Sequence, residues 1–234
     1  MNPQPLTVLA QELRNPIGAI RSAVSVMESA GTLPGAMDQA RRVITRQVGH
    51  LSLLVDDLLD LASLARGTLN LRREWIDVVQ EVEAAVEASA WAVIGSGHSL
   101  CVDVPDMPLH AYVDGTRLRQ VVTNLLHNAC KHTQPLGRIR LTLQHIDDCI
   151  VCSVEDNGVG IASDHLPYVF DVFTRSCADS ADAPRGTGIG LALVREIVEL
   201  HGGHVQAKSF GAGHGSVFLV RLPVCAQPAL AQEI

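Results

Sequence analysis

Asn124-Leu125-Leu126-His127-Asn128-Ala129-Cys130-Lys131 is the stretch on which the reading of this chain turns. Two carboxamides stand four residues apart and Lys131 follows one turn past Asn128, so the three share one face of a helix. The other face holds Val121, Val122, Leu125 and Leu126. A carboxamide oxygen can join waters and phosphate oxygens around Mg²⁺, a hard cation that keeps most of its shell as water. A lysine adds a point charge for phosphate. Taken alone, this polar face reads as the ordinary solvated side of a helix.

Two glycine-rich stretches follow. Asp156-Asn157-Gly158-Val159-Gly160 comes directly after a strand-like run, with a carboxylate at the strand end and glycines that permit close backbone approach. A single carboxylate there can accept a hydrogen bond from an adenine amino group, although a D-x-G-x-G pattern alone is shared with many tight turns. Arg185-Gly186-Thr187-Gly188-Ile189-Gly190-Leu191 then opens a helix, which offers glycine amides and a helix N-terminus to phosphate. Its spacing is close to a dinucleotide fingerprint, but no βαβ unit with an acidic residue about twenty positions on accompanies it, so a Rossmann reading is set aside. Phe170 and Phe173 lie between the second and third stretches, and Gly211-Ala212-Gly213-His214-Gly215-Ser216 follows them.

In this order the stretches resemble the nucleotide boxes of sensor histidine kinases. Asn124 and Asn128 are similar to the N box, 156–160 to the G1 box, Phe170 and Phe173 to the F box, 186–190 to the G2 box and 213–216 to the last glycine box. The resemblance covers nearly the whole chain from Leu9 to Pro223. It implies an ATP-binding Bergerat fold in which Asp156 holds adenine, Asn124 and Asn128 serve Mg²⁺ and phosphate, and 174–185 forms a lid. The residues it implies at the nucleotide are Asn124, Asn128, Lys131, Asp156, Gly158, Gly160, Phe170, Phe173, Arg185, Gly186, Thr187, Gly188, Gly190, Leu191 and Ser216. ATP and Mg²⁺ are the cofactors so implied.

Upstream, Leu6, Leu9, Leu13, Ile17, Ile20, Val24 and Met27 recur at steps of three and four, one stripe along a helix that reads as a coiled-coil seam. Gly31-Thr32-Leu33-Pro34-Gly35 breaks the pattern, and Ile44, Val48, Leu51, Val55, Leu58, Ala62 and Ala65 repeat it on a second helix. An antiparallel hairpin is expected. Leucines at 53, 54, 59, 61 and 64 widen the second helix's apolar surface beyond what one partner covers, which suits a four-helix bundle of two chains or a monomer capped by its own second half.

Within the first helix, Leu9-Ala10-Gln11-Glu12-Leu13-Arg14-Asn15-Pro16 resembles the family's H box, with Gln11 where the phosphoacceptor histidine stands. Gln11, Glu12 and Asn15 are expected on the solvent face, beside the helix-bending Pro16. For stability Gln11 is simply a good helix former. For chemistry the change is severe, because an amide nitrogen with a delocalised lone pair cannot replace imidazole as phosphoryl acceptor. The resemblance implies a kinase unable to label itself, with Glu12 as base, Asn15 as a water-orienting residue for phosphatase action, and a response-regulator receiver domain as partner. The competing readings are a natural pseudokinase acting as a nucleotide-gated dimeric scaffold, and an ATPase of the gyrase, chaperone and mismatch-repair group, which lacks the hairpin.

The expected fold is α+β: a two-helix hairpin over 1–66, a linker over 67–74, an ATP-binding α/β sandwich over 75–224 with one sheet and helices on one face, and a tail over 225–234. Strand-like runs are expected at 98–104, 138–145, 149–154, 204–209 and 216–222, and helices at 78–89, 116–132 and 191–201. The length of 234 residues, 47% of them hydrophobic, suffices for two cores. A net charge of -7 without a basic stretch argues against nucleic acid. Apolar runs fall short of the ~20 residues that span a bilayer, and no signal peptide is expected. Six scattered cysteines suit a reducing cytoplasm, and Cys149 and Cys152 read as strand residues rather than a redox or zinc pair.

Overall fold

The structure, a computed structural model, describes residues 4–29, 34–174 and 188–224. It forms two compact units with their main boundary between Leu69 and Asn70. Among the described residues no helix is long and apolar enough to cross a membrane.

The first unit is a helical hairpin, α1 (Gln4–Ser29) and α2 (Pro34–Ala65), packed against each other. The short connection leaves only an antiparallel arrangement. α2 starts inside the stretch expected to be a break, because Pro34 sits at the first helical position, where its missing N–H has no intrahelical partner to lose. α1 runs through Pro16, which is buried. Within one chain, burial also falls on Ala23, Ala40 and Leu54. Several residues of the expected seams stay open instead: Ile17 is 55% exposed, and Val24, Val48, Val55 and Leu58 are exposed as well. The seam expectation is corrected accordingly, since small residues let the two helices approach and the large stripe residues remain for another surface.

The second unit is an α/β sandwich. Its main sheet has the order β2-β4-β5-β7-β6, built from β2 (Ser99–Asp103), β4 (Arg138–Ile146), β5 (Cys149–Asp156), β6 (His204–Lys208) and β7 (Ser216–Pro223). β2 runs parallel to β4 and every other pairing is antiparallel. The helices α3 (Val78–Gly95), α4 (Gly115–His132) and α5 (Gly190–Leu200) pack on it and on one another. Period-two burial along the strands makes the core. Leu141, Val154, Phe218 and Ala207 form one row across the sheet, and Leu143, Cys152, Val220 and Val205 the next. α4 answers with Leu118, Val121, Val122, Leu125, Leu126 and Ala129.

The single-sheet expectation is incomplete. β1 (Glu74–Asp77) and β3 (His110–Val113) form a second, two-stranded sheet, so Glu74, expected in the linker, begins a strand, and Trp75 beside it packs on Tyr112 with ring centroids 6.1 Å apart. The helix expected to end at 89 continues to Gly95. Its start is set by Asp77, whose Oδ1 accepts from the N–H of Val79 at 3.1 Å and of Leu109 at 3.0 Å. Cys149 and Cys152 lie three apart on one strand and so point to opposite faces. Burial pushes the Cys152 thiol up to about 12, the state of an inert core residue.

Leu141 is fully buried in the central row. Leu141→Ala is expected to cost about 2–5 kcal/mol in urea unfolding with an unchanged m-value. A cost below about 1 kcal/mol would show that the inner face collapses around the gap.

Candidate functional site

The pairing of β5 with β7 sets Asp156 directly opposite Ser216 at the end of the core-facing rows. Both are buried. Asp156 Oδ2 accepts the Ser216 hydroxyl at 2.6 Å, and its Oδ1 accepts the Gly158 N–H at 2.8 Å. A carboxylate has about four acceptor sites, so the two bonds hold the group in place and leave capacity for another donor.

The turn after Asp156 is fixed on both sides. Val159 N–H donates to the His132 carbonyl at the end of α4 (2.9 Å), and the Gly213 N–H to the Val159 carbonyl (2.7 Å). Gly160 has φ of +71° and a Cβ there would stand 2.0 Å from the Gly211 carbonyl oxygen; Gly215, at +69°, would clash with the Asp156 carbonyl oxygen at 1.9 Å. Only glycine meets both demands at these positions. Ser209, not anticipated from sequence, closes the arrangement: its hydroxyl donates to the Gly215 carbonyl at 2.6 Å and accepts the Ile161 N–H at 2.9 Å. A serine at the end of a strand that runs into a glycine loop was the available signal.

On α4, Asn124 turns toward the first residue of α5, with Nδ2 at 3.5 Å from the Gly190 carbonyl. Its Oδ1 is thereby left for a cation or its waters, and Asn128 and Lys131 continue the same face, half-buried. The first-turn amides of α5 have no intrahelical acceptors, which suits an anion. Leu191 is half-buried in that turn, and Gly188, just before it, has φ of +68°. Arg185, Gly186 and Thr187 lie outside the described residues, as does all but Thr174 of the stretch 174–185 expected as a lid.

Phe170 packs edge-on against the buried Phe218, centroids 6.1 Å apart at 89°. The contact visible for this ring is with the core, so it anchors the segment 166–174. Phe173 in that segment has φ of +65°. Arg195 of α5 meets Asp171 at 3.0 Å, an exposed pair of small energetic weight. No group of three or more His, Cys, Asp or Glu among the described residues is placed to hold a metal ion.

On α1, Gln11 Nε2 donates to Asn15 Oδ1 at 3.4 Å, Gln11 half-buried and Asn15 exposed. Glu12 is on the same helix, and its side chain lies outside the description.

A buried carboxylate beside a glycine turn and a carboxamide helix facing a second helix's N-terminus thus lie at one end of the sheet. Residues 113–226 match the model described as histidine kinase-, DNA gyrase B- and HSP90-like ATPase, and residues 4–67 the His Kinase A (phospho-acceptor) domain. With the hairpin and the ATPase in one chain, it belongs to the histidine kinases of two-component signal transduction. The sensor histidine kinase TrcS of Mycobacterium tuberculosis is 36% identical over 95% of this chain and 44% of its own length. A solved mycobacterial sensor histidine kinase, MprB, is 30% identical with a TM-score of 0.57, covering 64% of this chain and 97% of that one. The solved complex of histidine kinase ThkA with the response regulator protein TrrA shares the fold at 21% identity and a TM-score of 0.61, over 92% of this chain and 60% of that one. The chain spans less than half the length of the curated relatives it matches.

His132, next to Lys131, is the acid-sensitive group at this site: burial first, and then the Lys131 charge, bring its pKa down to about 4. The unfolded chain therefore takes up this proton first, and stability falls as pH drops from about 6.5 through about 4. His132→Gln is expected to lose less stability than the parent between pH 7.5 and pH 5 in urea titrations. Equal losses would locate the acid sensitivity elsewhere.

Proposed function

We propose that this chain is the catalytic core of a sensor kinase that binds Mg²⁺-ATP but cannot phosphorylate itself, because Gln11 occupies the acceptor position. The observation that carries the nucleotide half is the buried Asp156 carboxylate, held by Gly158 and Ser216 with acceptor capacity to spare. An adenine amino group would use that capacity. Asn124, Asn128 and Lys131 would serve Mg²⁺ and phosphate, and the α5 N-terminus the phosphate tail. Mg²⁺, when bound, would neutralise charge on the phosphate oxygens.

In the family reaction an imidazole nitrogen attacks the γ-phosphorus, the bond to the bridging oxygen breaks, and ADP leaves; Glu12 would draw the proton from the acceptor. Gln11 offers no such lone pair. Asn15 would still orient a water for hydrolysis of a regulator's aspartyl phosphate, which leaves phosphatase action open to this chain. The intact Glu12, Arg14, Asn15, Pro16 and nucleotide boxes support a recent or engineered loss. The open stripe of Ile17, Val24, Val48, Val55 and Leu58 supports a homodimer through the hairpin, and the complex of ThkA with TrrA supports a response-regulator receiver domain as partner. ATP as substrate places the work in the cytoplasm. The functional division would follow 1–66, 67–74, 75–224 and 225–234.

Asp156→Asn is expected to weaken nucleotide binding about ten- to a hundredfold, the loss of ~1.5–3 kcal/mol for a charged hydrogen-bond acceptor. Calorimetry that returned unchanged affinity would remove the adenine assignment.

Incubated with γ-labelled ATP, the chain is expected to stay unlabelled while Gln11→His takes up a label that acid removes, as a phosphoramidate does. A Gln11→His variant that binds ATP yet stays blank would favour the second reading, a dimeric scaffold gated by nucleotide without turnover, for which the glutamine itself speaks.

A further inference from the structure

His201, at the end of α5, is 5% exposed and has both ring nitrogens engaged. Nδ1 lies 2.8 Å from the Ile197 carbonyl oxygen, and Nε2 accepts the Asp114 N–H at 3.0 Å. Only the neutral tautomer with the proton on Nδ1 satisfies both. Asp114 is 7% exposed and equally committed. Its Oδ1 caps α4 through the Arg117 N–H at 3.1 Å, and its Oδ2 accepts the Arg72 N–H at 2.8 Å. The neighbouring Arg73 guanidinium donates to the Leu200 carbonyl.

Three segments are thus fastened at one point: the connector that leaves α2, the start of α4 and the end of α5. The same two helices meet again at the other end of their contact, where Asn124 faces Gly190. Asn124 lies nearly three turns along α4 from Asp114, about 15 Å at 1.5 Å per residue. Two packed helices shift as rigid bodies, so a displacement at one end of the pair is felt at the other.

We propose that Asp114 and His201 are positioning residues that couple the connector at Arg72 and Arg73 to the spacing of α4 against α5, and so to the nucleotide face at Asn124 and Gly190. This rests on the nucleotide reading given above and adds to it a route by which the connector acts on the site. Pulling Arg72 off Oδ2 would disturb the cap that starts α4. Displacing His201 would leave the buried Asp114 N–H without an acceptor, a loss the fold resists. The joint is also sensitive to protons. The charged groups facing His201 are the Asp114 carboxylate from α4 and the Arg73 guanidinium from the connector, and burial, aided by Arg73, holds its pKa below the ordinary value. Protonation would turn Nε2 from acceptor into donor against the Asp114 N–H.

Amide hydrogen exchange on the full chain, with and without MgADP, tests this. MgADP is expected to raise the protection of the Arg72 and Asp114 amides about fivefold or more, the lower range of a measurable coupling. Asp114→Asn keeps an oxygen for the α4 cap and loses the one that holds Arg72, so the gain at Arg72 should vanish while MgADP still binds. His201→Gln keeps an acceptor and a donor without titrating. The gain should fade as pH is lowered below the ordinary histidine range in the parent and persist in that variant. No gain at Arg72 in a parent chain that binds MgADP, or an undiminished gain in Asp114→Asn, overturns the proposal. If a variant fails to fold, the parent arm alone decides it. If MgADP does not bind the parent, the nucleotide reading falls and this coupling with it, an outcome that calorimetry separates from failed coupling.

Discussion

The register of β5 against β7 is the constraint from which the site follows. Asp156 faces the core because it stands two residues beyond Val154 in a strict alternation, in line with the row that Ile139 begins. Slipping that register by one residue would turn Asp156 to solvent and bring Glu155 inward. What prevents the slip is apolar: Leu141, Val154 and Phe218, then Leu143, Cys152 and Val220, are buried as sets and would be exposed as sets. The position of one polar group is thereby inherited from the packing of many nonpolar ones.

α4 has two duties. Its apolar side completes the core beneath the sheet, and its polar side carries Asn124, Asn128 and Lys131. The last carbonyl of the helix, at His132, then holds the turn that follows Asp156. Because helix, strand end and glycine loops are bonded to one another, Asp156 and the polar side chains of α4 sit on a rigid support rather than on a free loop.

Much of this was legible beforehand, and the reasons differ by element. The main strands and α4 were readable because one face of each is buried, which writes the period into the sequence. β1 and β3 were not, since four residues such as His110-Ala111-Tyr112-Val113 carry too little alternation to stand out and are held by pairing with each other. The hairpin's length was readable, but which stripe faces inward was not: periodicity gives the spacing of large residues, while close approach at Ala23 and Ala40 depends on small ones. At the site, Asp156 and Ser216 were found through the order of motifs, and their contact at 2.6 Å needed the register. His201 and Asp114 escaped notice because a histidine before two glycines and an aspartate before a helix each have an ordinary local explanation, and their meaning lies in meeting across the fold.

The adenine role proposed for the pinned Asp156 carboxylate also bears on selectivity among bases. An ionised carboxylate can only accept, and this one is pinned by Gly158 and Ser216, so it cannot swing away or reverse its polarity. On the proposed reading, a purine that presents an amino group there would be matched, whereas one that presents a carbonyl would bring lone pair against lone pair in a buried place. Such a mismatch leaves polar groups unpaired, the kind of discrimination that reaches several orders of magnitude rather than the modest ratios of a purely apolar pocket. Under the adenine reading proposed above, guanine nucleotides would be turned away by repulsion at this side chain.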